Sequence, residues 1–142
     1  MLVKKIMTRD VQTIEPGTTV REAAEKMAKF SIGCLLVVSG GRLAGIVTES
    51  DILRKVVAEG LDGEKTKVRT IMTKEVIYID PKTDVEDAAD IMLENGIKKL
   101  PVVDGHTLVG IVTVTDMCRV EPKMVEKVYR LLFGDEKKLE AG

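Results

Sequence analysis

Two short runs in the sequence carry residue types able to hold a phosphorylated sugar. They are Gly45-Ile46-Val47-Thr48-Glu49-Ser50-Asp51 and Gly110-Ile111-Val112-Thr113-Val114-Thr115-Asp116. In each, an apolar, β-rich run ends in a Thr, and an Asp follows three places later, where a helix is expected to begin. A Thr at a helix N-cap accepts a hydrogen bond from an otherwise unpaired backbone N–H of the first turn. An acid at the third helical position reaches back to the N–H of the cap residue, giving a reciprocal capping box. One reading is a capped strand-to-helix turn used twice. The other is chemical: a helix N-terminus that combines N–H groups, a hydroxyl and a carboxylate is equipped for a sugar phosphate.

Other chemistries find little support. His106 is the only histidine and falls in an expected hairpin turn, which excludes His-based triads and multi-His metal sites. Neither Thr–Asp pair has a base beside a nucleophile. No metal-ligand cluster or P-loop is written in the chain, so no catalysis, enzyme cofactor or metal is expected. Cys34 and Cys118 lie far apart in apolar surroundings without CxxC spacing, and read as buried, reduced thiols. A formal net charge of -1 gives no global field toward nucleic acid or an anionic membrane. With two Tyr, two Phe and no Trp, base-stacking platforms are not expected either. Lys65, Lys67, Arg69 and Lys74 form only a modest basic patch. The longest purely apolar run, Cys34 to Val38, is far short of a bilayer span. Met1 to Lys5 leads directly into patterned sequence with no signal peptide, and a cytoplasmic protein is expected.

The elements that must position the two runs are themselves duplicated. Ile6-Met7-Thr8 recurs as Ile71-Met72-Thr73, a shift of 65 residues, and that shift aligns Val3–Arg54 with Val68–Arg119 without a gap. About two dozen aligned positions are identical, the mark of a tandem duplication of one supersecondary unit. Each copy opens with an extended segment before a proline: Val11 to Ile14 before Pro16, and Val76 to Ile79 before Pro81. A helix follows with Val20, Ala23, Ala24 and Met27 on one face, or Val85, Ala88, Ala89 and Met92 in the twin, at amphipathic spacing. Two strands come next. Cys34 to Val38 turns at Gly40-Gly41 into Leu43 to Val47, and Leu100 to Val103 turns at Asp104-Gly105-His106 into Leu108 to Val112. Their continuous apolar runs suggest burial on both faces. A closing helix takes Ile52, Leu53, Val56 and Val57 as its apolar face in the first copy, and Met117, Cys118 and Val120 in the second.

At 142 residues and 44% hydrophobic content the chain can bury a real core. The expected organisation is a first domain over 3–58, a polar linker over 59–67 and a second domain over 68–120. One more helix is expected over 122–134, started by Pro122, with Met124, Val125, Val128, Leu131 and Leu132 on one side and Gly134 as C-cap. A charged tail is expected over 135–142.

A β-α-β-β-α unit in tandem, with G-h-h-T-x-x-D at the last strand-to-helix turn, resembles the CBS domain. The resemblance covers both copies. It is carried by the Ile-Met-Thr openings, Thr13-Ile14-Glu15-Pro16 with Tyr78-Ile79-Asp80-Pro81, Leu100-Pro101-Val102-Val103-Asp104, and the two Gly-to-Asp runs. It implies an α/β (α+β) fold, with two such domains packed as a Bateman module of pseudo-two-fold symmetry. It also implies clefts between the domains for an adenosine-containing ligand: AMP, ADP or ATP first, with NAD, S-adenosylmethionine or methylthioadenosine as alternatives. By the same resemblance, Asp51 and Asp116 accept ribose hydroxyls, and Thr48 and Thr113 donate to a phosphate or ribose oxygen. Ile46 and Ile111, with Thr13, Ile14, Tyr78 and Ile79, line the adenine pocket. An ionised carboxylate has the acceptor capacity for two adjacent hydroxyls, which fits that role.

The copies diverge just ahead of the hairpins, where Gly33-Cys34 in the first stands against Lys98-Lys99 in the second. Lysines supply positive charge there, though not the bidentate fork of Arg. The second turn is therefore expected to take a nucleotide phosphate, and the first a less charged adenosine or nothing. A ligand sensor signalling to a separate, unidentified protein is the expected function, and a homodimer is expected by resemblance. A nucleic-acid binder and a ligand-free interaction scaffold are the other classes.

Overall fold

The hairpin turns set the frame. Gly40 and Gly41 adopt φ of +59° and +80°, and Gly105 +65°, conformations that glycine reaches without steric cost. They join β2 (Cys34–Ser39) to β3 (Arg42–Thr48) and β4 (Lys99–Asp104) to β5 (Thr107–Thr113) as antiparallel pairs. Both hairpins carry a register shift at twin places, Val37/Val38 and Val102/Val103. In the first copy β1 (Thr13–Ile14) adds in parallel to β2, giving the order β1-β2-β3. In the second, the matching segment makes a single parallel bridge, Ile79 to Val102. Pro101 stands where the first copy has Leu36, and its missing N–H removes the donor that would lengthen this pairing. The computed structural model describes residues 1–134; the charged tail expected over 135–142 lies outside the described residues.

Helices α1 (Val20–Phe30) and α3 (Val85–Asn95) start at Thr19 and Asp84, whose side chains accept from the N–H groups of Glu22 and Glu86. In α3 the whole stripe of Val85, Ala88, Ala89 and Met92 is buried as the spacing predicts, whereas in α1 Val20, Ala23 and Met27 are buried and Ala24, expected on the same face, is only half-buried. After β3, α2 (Glu49–Ile52) runs into a wide turn over Leu53–Val57, closed by an i to i+5 bond from Ala58 N to Leu53 O. This widening changes which side chains face inward. Val56 is buried and Ile52 half-buried, but Leu53 and Val57 turn outward, against the expectation that all four form one core face. The second copy keeps an α-helix, α4 (Val114–Val120), with Met117 buried and Val120 exposed. Pro122–Met124 then makes a short 3-10 turn into α5 (Val125–Phe133), which ends at Gly134. Met124, Val128 and Leu131 pack inward, whereas Val125 and Leu132, expected on the same side, are exposed. Cys34 and Cys118 are half-buried thiols rather than fully buried ones.

The compact units do not follow the bounds of the sequence copies. One is Val11–Val76, and the other joins Met1–Asp10 to the described residues from Ile77. Each copy's opening segment thus packs on the other copy's body, through matching bonds. Val3 N donates to Thr83 O at 2.8 Å and Lys4 N to Pro81 O at 3.0 Å, while Met1 O accepts from Val85 N at 2.9 Å. Shifted by 65, Val68 N donates to Thr18 O at 2.8 Å and Arg69 N to Pro16 O at 3.0 Å, while Thr66 O accepts from Val20 N at 2.9 Å. The last bond in each set satisfies a first-turn donor that α3 or α1 cannot pair internally. Val3 and Val68, the apolar anchors of these segments, are fully buried in the two cores. Burying such a side chain is worth about 1.5–3 kcal/mol.

Candidate functional site

Each strand-to-helix turn forms the reciprocal box that its spacing predicts. Thr48 N donates to Asp51 Oδ2 at 2.9 Å, and Asp51 N donates to Thr48 Oγ1 at 3.1 Å. Thr113 and Asp116 repeat this at 2.9 and 3.2 Å. The box commits one oxygen of each carboxylate and the acceptor side of each hydroxyl. The other carboxylate oxygen and the hydroxyl proton are what a ligand can use.

That second oxygen is treated differently in the two copies. Lys55 Nζ lies 3.0 Å from Asp51 Oδ1 and also donates to Ile71 O at 2.8 Å. Arg119 reaches Asp116 Oδ1 only at 3.9 Å. Both carboxylates are mostly shielded, at 13% and 12% exposure. Lys55 and Arg119 were not singled out from the sequence, although an acid followed by a base at i+4 or i+3 on a helix is a readable pair. Lys26, which donates to Thr13 O, is a further cation of the first-copy unit.

The glycine that opens each run has a steric cause. A Cβ on Gly45 would lie 2.6 Å from Thr73 O, and one on Gly110 would lie 2.9 Å from Thr8 O and 2.7 Å from Met7 Sδ. The Met-Thr openings cross directly over these glycines, and Thr73 and Thr8 form bridges to Ile46 and Ile111. Across the first sheet, Thr13, Leu36, Ile46 and Thr73 therefore make one row of cross-strand neighbours. In the other unit, Pro101, Ile111 and Thr8 form the matching row, with Tyr78 at the twin position of Thr13. Directly opposite residues share a sheet face. Tyr78 is well exposed there, which leaves its ring open to a planar partner.

Ile14 and Ile79 are placed otherwise. They pair with Val37 and Val102, and all four belong to the hydrophobic cores, so the backbone is what these two isoleucines can present to a ligand. Lys98 and Lys99 do stand beside the second turn. Lys98 O accepts from Val114 N at 3.0 Å, and Lys99 is the cross-strand partner of Thr113. At the first turn the equivalent positions are Gly33, whose carbonyl accepts from Glu49 N at 3.0 Å, and Cys34, paired with Thr48. Among the described residues, no cluster of His, Cys, Asp and Glu is placed to hold a metal ion, and no helix is long and apolar enough to cross a membrane.

Comparison with known proteins agrees with this architecture. The CBS domain family matches residues 3–58 and again 68–123. The CBS domain-containing protein YhcV of Bacillus subtilis is 39% identical over 115 residues, covering 81% of each chain. The crystal structure of the CBS domain protein TA0289 from Thermoplasma acidophilum superposes with a TM-score of 0.82 at 29% identity, over 94% of this chain and 75% of that one. A hexameric CBS-CP12 protein from bloom-forming cyanobacteria gives a TM-score of 0.74 at 35% identity, over 99% of this chain and 82% of that one. With its two duplicated units and both Gly-to-Asp turns inside the matched segments, the chain belongs to the CBS domain family, as a tandem pair.

Proposed function

We propose that this tandem CBS protein is a non-catalytic sensor of an adenosine-containing ligand, AMP, ADP or ATP, and that it acts on a separate protein as a homodimer. The observation that carries the reading is the second turn. Among the described residues, the cation at the second oxygen of Asp116 is Arg119 at 3.9 Å, the Thr113 hydroxyl has a proton to donate, and Lys99 stands directly across from Thr113. Ribose hydroxyls would meet the carboxylate, and a phosphate would meet the hydroxyl and the lysines. The first turn offers the same carboxylate and hydroxyl with no lysine at the positions of Lys98 and Lys99, which suits a less charged adenosine. Oligomerisation of this fold is stated for the hexameric CBS-CP12 protein and supports assembly here.

A thermal-shift screen with AMP, ADP, ATP, NAD, S-adenosylmethionine and methylthioadenosine tests this reading. Binding to the native state raises the melting temperature by mass action, by an equivalent of about 2.7 kcal/mol at a hundredfold excess over Kd. An adenine nucleotide is expected to shift the wild type. In calorimetry, Asp116→Ala and Lys99→Ala are each expected to weaken it tenfold or more. If no compound moves the melting temperature, the ligand-free scaffold reading replaces this one. A larger response to S-adenosylmethionine or NAD would reassign the ligand class.

A further inference from the structure

In the second-copy unit, α5 fills the groove between α3 and α4. Its seat is lined by Ala89, Met92, Val114 and Met117, and the helix brings Val128 and Leu131 into it. Lys127 fixes the helix from the side, its Nζ 2.6 Å from Asp90 Oδ1. Shifted back by 65 positions, the four seat residues are Ala24, Met27, Glu49 and Ile52. All four line an open groove of about 440 Å³ in the first-copy unit, rimmed by Leu53 and Val57. The duplicated fold has built the same helix-accepting groove twice, and the described chain fills only one of them.

The filling helix carries more apolar surface than it buries. Val125, Tyr129, Leu132 and Phe133 are exposed, and their i, i+4, i+7, i+8 spacing makes a second stripe on the outer side of α5. The Tyr129 and Phe133 rings lie 5.0 Å apart and form one aromatic surface. The rim of the open groove is equally bare, with Leu53 and Val57 at 61% and 65% exposure. An exposed apolar patch bordered by polar residues marks an interaction surface. Here one chain presents two such surfaces, and one of them is a groove whose twin already accepts this helix.

Resting on the homodimer reading above, we propose that the outer stripe of α5 from a second copy covers the open groove rimmed by Leu53 and Val57. Charge allows this pairing: Glu49 puts a carboxylate in the open groove where the filled one has Val114, and of the two charged residues exposed along the edge of the stripe on α5, Glu126 and Arg130, Arg130 is the one that can meet it. A second copy satisfies both bare surfaces at once, whereas a foreign helix would leave the stripe uncovered. A two-fold arrangement makes the contact twice.

The test is sedimentation velocity on the full chain and two double variants, Leu53→Asp/Val57→Asp in the groove and Tyr129→Asp/Phe133→Asp on the stripe. The wild type is expected to be a dimer and each variant a monomer. An equimolar mixture of the two variants is expected to recover a weaker heterodimer, because each keeps the surface that the other lacks. A mixture that stays monomeric would mean that groove meets groove or stripe meets stripe, and would overturn the proposal. So would variants that remain dimeric, which would leave the homodimer reading intact and refute only this surface. A monomeric wild type would refute both. If the aspartates disturb folding by circular dichroism, Leu53→Ser and Phe133→Ser carry the same test, each expected to weaken the dimer about tenfold.

Discussion

Replacing Gly110 with Ala tests how the opening segment is held on the second Gly-to-Asp turn. The new Cβ would lie 2.7 Å from Met7 Sδ, 3.0 Å from Met7 Cγ and 2.9 Å from Thr8 O, closer than nonbonded carbon atoms settle. The Met7 side chain can swing aside, but the Thr8 carbonyl cannot move alone. Thr8 N donates to Ile111 O at 2.8 Å and Ile111 N to Thr8 O at 2.9 Å, so relief requires the segment to lift and both bonds to loosen. Overpacking of this kind costs about 1–3 kcal/mol and the two loosened bonds together about 1 kcal/mol, so a total loss of about 2–4 kcal/mol is expected. At about 3 °C per kcal/mol for a chain of this size, the melting temperature should fall by about 6–12 °C. Gly45→Ala meets Thr73 O at 2.6 Å and should cost at least as much. Gly17→Ala is the control: its Cβ finds only Arg69 Nη1 at 3.7 Å, and the change should stay within about 0.5 kcal/mol. Adding Met7→Ala to Gly110→Ala removes the sulfur contact but not the carbonyl contact, so it should not restore wild-type stability. Scanning fluorimetry and urea titration report all four variants. A Gly110→Ala protein melting within about 2 °C of the wild type would refute the packing argument.

Other perturbations address the electrostatics. Lys55→Met removes the cation that occupies Asp51 Oδ1 while keeping an apolar stem; calorimetry should show the first turn binding adenosine about 2–5-fold more tightly, and unchanged affinity would show that Lys55 does not compete with ligand. The carboxyl of Asp84 is held below its ordinary range, chiefly by the N–H of Glu86 and next by the amine of Met1. Because the folded value is the lower one, its stabilisation is present above about pH 4 and is lost as pH falls through the folded value. The stability gap between the wild type and Asp84→Asn should therefore shrink between pH 5 and pH 2 in urea titrations, and a constant gap would count against that account.

Local rules made much of this protein readable. Thr and Asp three residues apart after an apolar run are enough to specify a capping box, and both boxes form in both directions. Helix periodicity likewise placed Val20, Ala23 and Met27 and their twins in the cores. What periodicity could not supply was partner choice. Ile-Met-Thr is written identically in both copies, so either opening fits either body by pattern alone, and only long-range packing assigns Thr8 to Ile111 and Thr73 to Ile46. The outward turn of Leu53 and Val57 was hidden for another reason. A 3.6-residue period assumes i to i+4 bonding, and the segment instead closes with an i to i+5 bond.

The duplicated turn then raises the question of what separates its two copies, and the magnitudes decide it. Each box uses one carboxylate oxygen, so ligand discrimination must come from what surrounds the rest. At the second oxygen the contrast is Lys55 at 3.0 Å against Arg119 at 3.9 Å. Lys55 is half exposed, and a surface pair of this kind is worth about 0.5–1 kcal/mol, a factor of about 2–5 in affinity. That can tune the first site but cannot silence it. On the phosphate side the contrast is Gly33 and Cys34 against Lys98 and Lys99. A hydrogen bond to a charged group contributes about 1.5–3 kcal/mol, or roughly tenfold to more than a hundredfold. In the proposed sensor, Lys98 and Lys99 at the start of β4, rather than the shared Thr and Asp or the cation beside Asp51, are therefore the residues on which a preference for nucleotide over nucleoside at the second turn would rest.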